Sequence, residues 1–175
     1  MHGSSMSEMG SVLRRYLDVY NDANLKVVDV GSLDVNGTYK DLMPRAWKYI
    51  GVDIIAGKNV DVVMSDPYKL PFDDNSINIV ISGQCLEHVE RPWLLVKEMF
   101  RVLDPGGHCF ISAPAKMHLH NYPGDFWRFH PDGFKVLLGD AGFKVKETYT
   151  IPVDGLLGEY YGNPWTVDCW GVGIK

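Results

Sequence analysis

Apolar and polar positions change period several times along the chain, and each change marks an element. Over residues 8–20, Met9, Val12, Leu13, Tyr16, Leu17 and Tyr20 recur at spacings of three and four, which predicts an amphipathic helix. The β-branched run Lys26–Val30, closed by Gly31, predicts a buried strand. Asp34 or Asn36 is placed to cap a helix over 37–43, which Pro44 stops. Residues 47–53 and 60–65 read as second and third strands, and a loop with Pro67, Pro71 and Asp73 leads into a fourth over 77–82. A helix over 91–103 takes Pro92 in its first turn. Residues 104–107 read as a turn and 108–112 as a fifth strand. A helix over Pro131–Ala141, stopped by Gly142, precedes two final strands at 143–151 and Val167–Ile174.

Strands alternating with helices predict an α/β fold: a Rossmann-like, doubly wound, mostly parallel sheet of about seven strands. Strands that are apolar almost throughout, the first and fourth, fit burial on both faces. The last two strands are joined by a loop, so an antiparallel edge strand is expected. Residues 1–10 read as a flexible polar lead and 11–175 as a single domain. Two long loops, 113–130 and 152–166, are rich in aromatic, His, Pro and Gly residues, a composition suited to forming or covering a site.

Composition narrows the function classes. With 46% apolar and 22% charged residues, the chain is an ordinary globular sequence. A net charge of −5 with scattered basic residues gives no footprint for a nucleic-acid partner. No apolar run approaches the roughly 20 residues that cross a membrane, and no signal-peptide core opens the chain. Cys85, Cys109 and Cys169 are odd in number and far apart, which argues against a disulfide scaffold or zinc module and for a reducing, cytoplasmic setting.

Three strand ends carry candidate chemistry. After the first strand, Gly31 lets the backbone approach a ligand closely, although Leu33 and Val35 stand where further glycines would be expected. The alternative is a glycine that only ends a strand. Asp53 closes the second strand about 20 residues later, the spacing at which a carboxylate meets ribose hydroxyls; the alternative is a solvated strand-end acid. Asp66, before Pro67, could accept from an adenine amine or simply serve a turn.

Taken in order, Val-Val-Asp-Val-Gly-Ser at 27–32, Gly-Val-Asp at 51–53, Asp66 with Leu70-Pro-Phe, Leu-Glu-His-Val at 86–89 and Asp-Pro-Gly-Gly at 104–107 resemble class I S-adenosylmethionine-dependent methyltransferases. The likeness is to the small single-domain type among bacterial glycan and small-molecule methylating enzymes. It implies S-adenosylmethionine as cofactor, a transferase activity and a small-molecule or glycan acceptor. By position it implies that Gly31 and Ser32 contact the methionine part, with Asp29 supporting the turn. Asp53 would hold the ribose, Ile54 pack on the adenine and Asp66 face its amine, with Ser82, Gly83 and Gln84 bordering the sulfonium.

An oxygen acceptor must lose a proton, and His88 beside Glu87 is the candidate base. Its segment also recurs in the family whatever the substrate. A metal held by Glu87 and His88 would want an acid at position 84, where Gln84 is a poorer ligand. The pair His118 and His120 lacks a third ligand at metal-site spacing, so no metal is expected. The stretch 118–130 offers His118, His120, Tyr122, Trp127 and Arg128 to an acceptor, or else packs as a lid with Arg128 paired to Asp125 or Asp132. A partner chain, such as the second copy of a homodimer, could complete an open site. The rival functions are a non-catalytic cofactor-binding regulator and a short dehydrogenase, which would need the Tyr-x-x-x-Lys pattern this sequence lacks.

Overall fold

The computed structural model describes residues 3–17, 24–121, 124–152 and 167–175. In chain order it holds α1 (Gly3–Leu17), β1 (Lys26–Val30), β2 (Lys48–Asp53), β3 (Val62–Val63), β4 (Ile77–Gly83), α2 (Pro92–Val102), β5 (Leu103–Lys116), α3 (Pro131–Ala141), β6 (Lys144–Pro152) and β7 (Val167–Ile174). They form a seven-stranded sheet in the order β3-β2-β1-β4-β5-β7-β6. Strands β1 to β5 pair in parallel, and β7 runs antiparallel to both of its neighbours, β5 and β6. The expected antiparallel strand therefore lies one place in from the edge.

Alternation along each strand divides the core between two faces. Val27, Ile79, Phe110 and Trp170 join α1 on one face, where Met9, Val12, Leu13 and Leu17 dock. Val28, Val80 and Ile111 join α2 and α3 on the other, with Leu95, Met99, Phe134 and Leu138. The chain runs outward from β1 to β3, then returns to place β4 on the other side of β1. That reversal opens a crevice at the carboxyl ends of β1 and β4, where ligands bind in open α/β sheets.

Four local expectations differ. Helix α1 begins at Gly3, so residues 3–10 of the expected flexible lead are helical, with Ser5 and Met9 wholly buried. The physical reason is the apolar stripe, which extends back through Met6 and docks on the sheet while the Ser5 hydroxyl hydrogen-bonds Tyr39 Oη at 2.7 Å. The helix expected over 37–43 is one 3-10 turn at Tyr39–Leu42, capped by Thr38 and not by Asp34 or Asn36. The third strand shortens to two residues. The turn at 104–107 is a bulge inside β5: Ile77 faces Leu103 and Ile79 faces His108, with Gly106 at φ 84°. No helix among the described residues is long and apolar enough to cross a membrane.

Candidate active site

A cavity of about 1360 Å³ opens over the ends of β1, β2 and β4 and reaches the segment after β5. Its floor depends on Gly31, at φ 79°. The Gly31 and Ser32 amides both donate to Val52 O, at 2.9 and 3.1 Å, which pins the turn to β2. A Cβ on Gly31 would stand 2.5 Å from Cys85 Sγ, so the close approach of the β1 turn to the loop after β4 requires glycine. Asp29 lies beneath, almost fully buried, accepting a hydrogen bond from Tyr49 Oη at 2.5 Å. Burial pushes its carboxyl up to about 7, with the Tyr49 hydroxyl opposing and Asp53 adding to the rise. Asn59 donates from its amide to Tyr49 Oη and to Ser32 O, tying the network together. Tyr49 and Asn59 escaped the sequence reading because nothing in their spacing marks them.

Asp53 is held at both oxygens: Oδ2 accepts from Leu33 N at 3.1 Å and Oδ1 from Ile55 N at 3.0 Å. Each oxygen keeps a further lone pair for a ligand. Ile54 and Ile55, about half exposed, add an apolar surface beside it. Leu33 and Val35, in place of glycines, are accommodated differently. Leu33 packs over Gly57, and Asp34 closes the loop by accepting from Gly37 N at 2.8 Å and pairing with Lys58 at 2.6 Å. Gly37, at φ 117°, gives the turn its freedom.

Of the four remaining expected cofactor residues, two line the cavity and two do not. Ser82 is buried and donates to Val30 O at 2.8 Å, fastening β4 to β1 beneath the cavity. Gly83 and Gln84 line the cavity. Gln84 takes a left-handed backbone, φ 55°, and its amide faces the buried Asp168 carboxylate without reaching hydrogen-bond geometry. Asp66 is exposed, its Oδ1 accepting from Tyr68 N, and Pro67 and Tyr68 line the cavity in its place.

The far wall joins two segments distant in sequence. Glu87 is fully buried, with no hydrogen-bond partner on either carboxylate oxygen among the described residues, and burial pushes its carboxyl up to about 8. His88 Nδ1 faces Gly124 O, while Nε2 lies 3.6 Å from Glu87 Oε1. The His120 ring meets the His88 ring edge to face at 5.0 Å between centroids. One carboxylate oxygen of Glu87 and one ring nitrogen from each histidine fall within 4.8 Å of one another. His118 and His120 line the cavity, but His118 is exposed and stands outside this trio.

Trp127 and Arg128 are committed to the protein itself. The Trp127 indole donates to Val89 O at 3.0 Å and its ring packs against Trp93. The Arg128 guanidinium grips Asp125 with two nitrogens and donates to Met117 O and His118 O. That fork holds the Asp125 carboxyl well below the usual carboxylate range. Both residues brace the wall, and neither is among the residues that line the cavity, where contact with the acceptor was expected of them. Tyr122 lies outside the described residues.

Residues 28–111 match a family model described as a methyltransferase domain. A Mycobacterium avium protein described as an uncharacterized methyltransferase is 36% identical over 76 residues, 37% of this chain and 30% of its own length. A Mycolicibacterium smegmatis protein described as a probable S-adenosylmethionine-dependent methyltransferase is 30% identical over 103 residues, 59% of this chain and 39% of its own length. The chain thus spans well under half the length of these curated relatives. Among solved structures, a Burkholderia thailandensis 1,6-didemethyltoxoflavin-N1-methyltransferase holding S-adenosylhomocysteine superposes with a TM-score of 0.72 at 14% identity, covering 97% of this chain and 77% of its own. At that identity the likeness concerns the fold.

Proposed function

We propose that this chain, which belongs to the class I S-adenosylmethionine-dependent methyltransferases, binds S-adenosylmethionine in the cavity and transfers its methyl group to a small polar acceptor. One observation carries the reading: Asp53, at the carboxyl end of β2, is clamped by Leu33 N and Ile55 N beside a turn that only glycine can make. A fixed carboxylate there suits two vicinal ribose hydroxyls, and the exposed Ile54 and Ile55 beside it suit a purine ring. The cofactor, when bound, supplies an already activated methyl group. The protein's work is then to align the acceptor, exclude water and manage one proton. Alignment alone is worth several kcal/mol, up to about 7–11 in well-oriented intramolecular reactions.

An oxygen nucleophile, on a small or saccharide-like molecule, fits the far wall best. His118, His120, Asn121 and Phe126 mix hydrogen-bonding groups with an aromatic face. In the tautomer that donates from Nδ1 to Gly124 O, His88 Nε2 carries the lone pair and can take the hydroxyl proton. Calorimetric titration with S-adenosylmethionine and S-adenosylhomocysteine tests the cofactor reading. Micromolar binding is expected, and Asp53→Ala loses at least about tenfold, since a hydrogen bond to a charged group is worth roughly 1.5–3 kcal/mol. Folded protein that gives no heat with either ligand overturns it.

A further inference from the structure

We propose that Glu87, His88 and His120 form a binding site for one divalent transition-metal ion in the acceptor half of the cavity; the role given to that ion rests on the function proposed above. The geometry starts from Glu87. A carboxylate with no exposed surface and, among the described residues, no hydrogen-bond partner on either oxygen is costly to bury. The nearest guanidinium in the wall, Arg128, is already committed to Asp125. What faces Glu87 instead is an imidazole nitrogen, His88 Nε2 at 3.6 Å, with a His120 ring nitrogen completing a trio within 4.8 Å. Ligand atoms about 2.1 Å from a tetrahedral ion lie roughly 3.4 Å apart, so modest side-chain rotations close the set.

Both histidines are held as metal ligands are usually held, with the second ring nitrogen engaged by a fixed acceptor. His88 Nδ1 faces the Gly124 carbonyl. His120 Nδ1 faces His118 O at 3.3 Å and Asp125 Oδ2 at 3.4 Å, and Asp125 also accepts from His120 N at 2.9 Å. Arg128 locks Asp125 in turn. The bracing that removes Arg128 from the acceptor thereby orients His120. Two imidazoles and one carboxylate favour zinc, cobalt or manganese over magnesium or calcium, which prefer oxygen ligands. With three protein ligands the ion keeps open positions, and all three residues line the cavity, so a hydroxyl or vicinal diol of the acceptor can occupy them. An ion held there would lower the pKa of that hydroxyl, and His88, as one of its ligands, would then orient the ion and not take the proton itself. The proton leaves to water, the oxygen bonds the methyl carbon, and the C–S electron pair stays on sulfur as S-adenosylhomocysteine is released.

The test is calorimetric titration of Zn²⁺ and Mg²⁺ into chelator-treated full-length protein, with Co²⁺ absorption as a ligand-sensitive readout. The expected result is one Zn²⁺ per chain, far weaker Mg²⁺ binding, and Co²⁺ visible bands of a low-coordinate nitrogen–oxygen site. Glu87→Gln and His120→Ala each weaken Zn²⁺ at least tenfold while S-adenosylhomocysteine affinity and melting temperature hold, and His118→Ala leaves Zn²⁺ affinity unchanged. Absence of stoichiometric binding, or binding that survives both Glu87→Gln and His120→Ala, overturns the site. Failure of S-adenosylhomocysteine to bind would instead strike the proposed function, and the metal titration reads independently of it.

Discussion

At the scale of single residues, the site is built on polar groups that would be liabilities elsewhere. Asp29 is buried beneath the glycine turn and tolerated because Tyr49 donates to it, with Asn59 holding Tyr49 in place. Its folded-state value, pushed up to about 7, lies above that of the unfolded chain. The folded protein therefore binds the extra proton, and the stability contributed by neutral Asp29 is present at low pH and lost as pH rises through about 7. Tyr49→Phe removes the hydroxyl donor that favours the charged form, so the cost grows with pH. We expect urea denaturation to show a loss of about 1–3 kcal/mol at pH 8 and a smaller loss at pH 5. Equal losses at the two pH values would mean that Tyr49 supports the turn by packing alone. The same residues mark where a linear reading stops. Gly31 and Asp53 stand out by position, whereas a tyrosine and an asparagine become functional only through contacts the fold makes.

At the scale of elements, strands were legible and boundaries set by tertiary contact were not. Val-rich β1 and β4 have the continuous apolar runs of strands buried on both faces, and they form where expected. Helix α1 starts earlier than its sequence suggests because Ser5 gains a partner, Tyr39, only after docking. Residues 104–107 do make a turn, but one absorbed as a bulge between paired strands. The segment after β5 departs most. Its aromatic and basic residues suggested an acceptor platform, yet Trp127 reaches back to the chain after Glu87 and Arg128 knits carbonyls of 117 and 118 to Asp125. Arg128→Ala is therefore expected to weaken the wall and spare the cofactor half. Hydrogen exchange should quicken at His120, whose amide donates to Asp125, while S-adenosylhomocysteine affinity holds within about twofold. Unchanged exchange with a selective rise in acceptor KM would return Arg128 to the role of direct acceptor contact.

Across the whole molecule, the sheet separates a half of long paired strands from a half of shorter strands and loops that line the cavity. Strands β5, β7 and β6 pair along their length and take α3 on one face. On the other side of β4, β3 is only two residues long, and the loops after β1 and β2 are held largely by side chains such as Asp34, Asp53 and Asn59. The Glu87, His88 and His120 trio sits between these halves; in sequence Glu87 with His88 and His118 with His120 stand as two separate pairs, and only the fold brings His120 to the first. A ligand that bridges the turn at Gly31, Asp53 and the loop after β4 should therefore stabilise one side of the sheet more than the other. Saturation at about 100 times Kd supplies roughly 2.7 kcal/mol, which for a chain of this size raises Tm by several degrees. We expect S-adenosylhomocysteine to slow hydrogen exchange over 31–37, 53–55 and 83–88 and to leave β6 and β7 unaltered. Protection spread evenly over all seven strands would mean that the molecule opens only as one cooperative unit, and the separation into halves would fall.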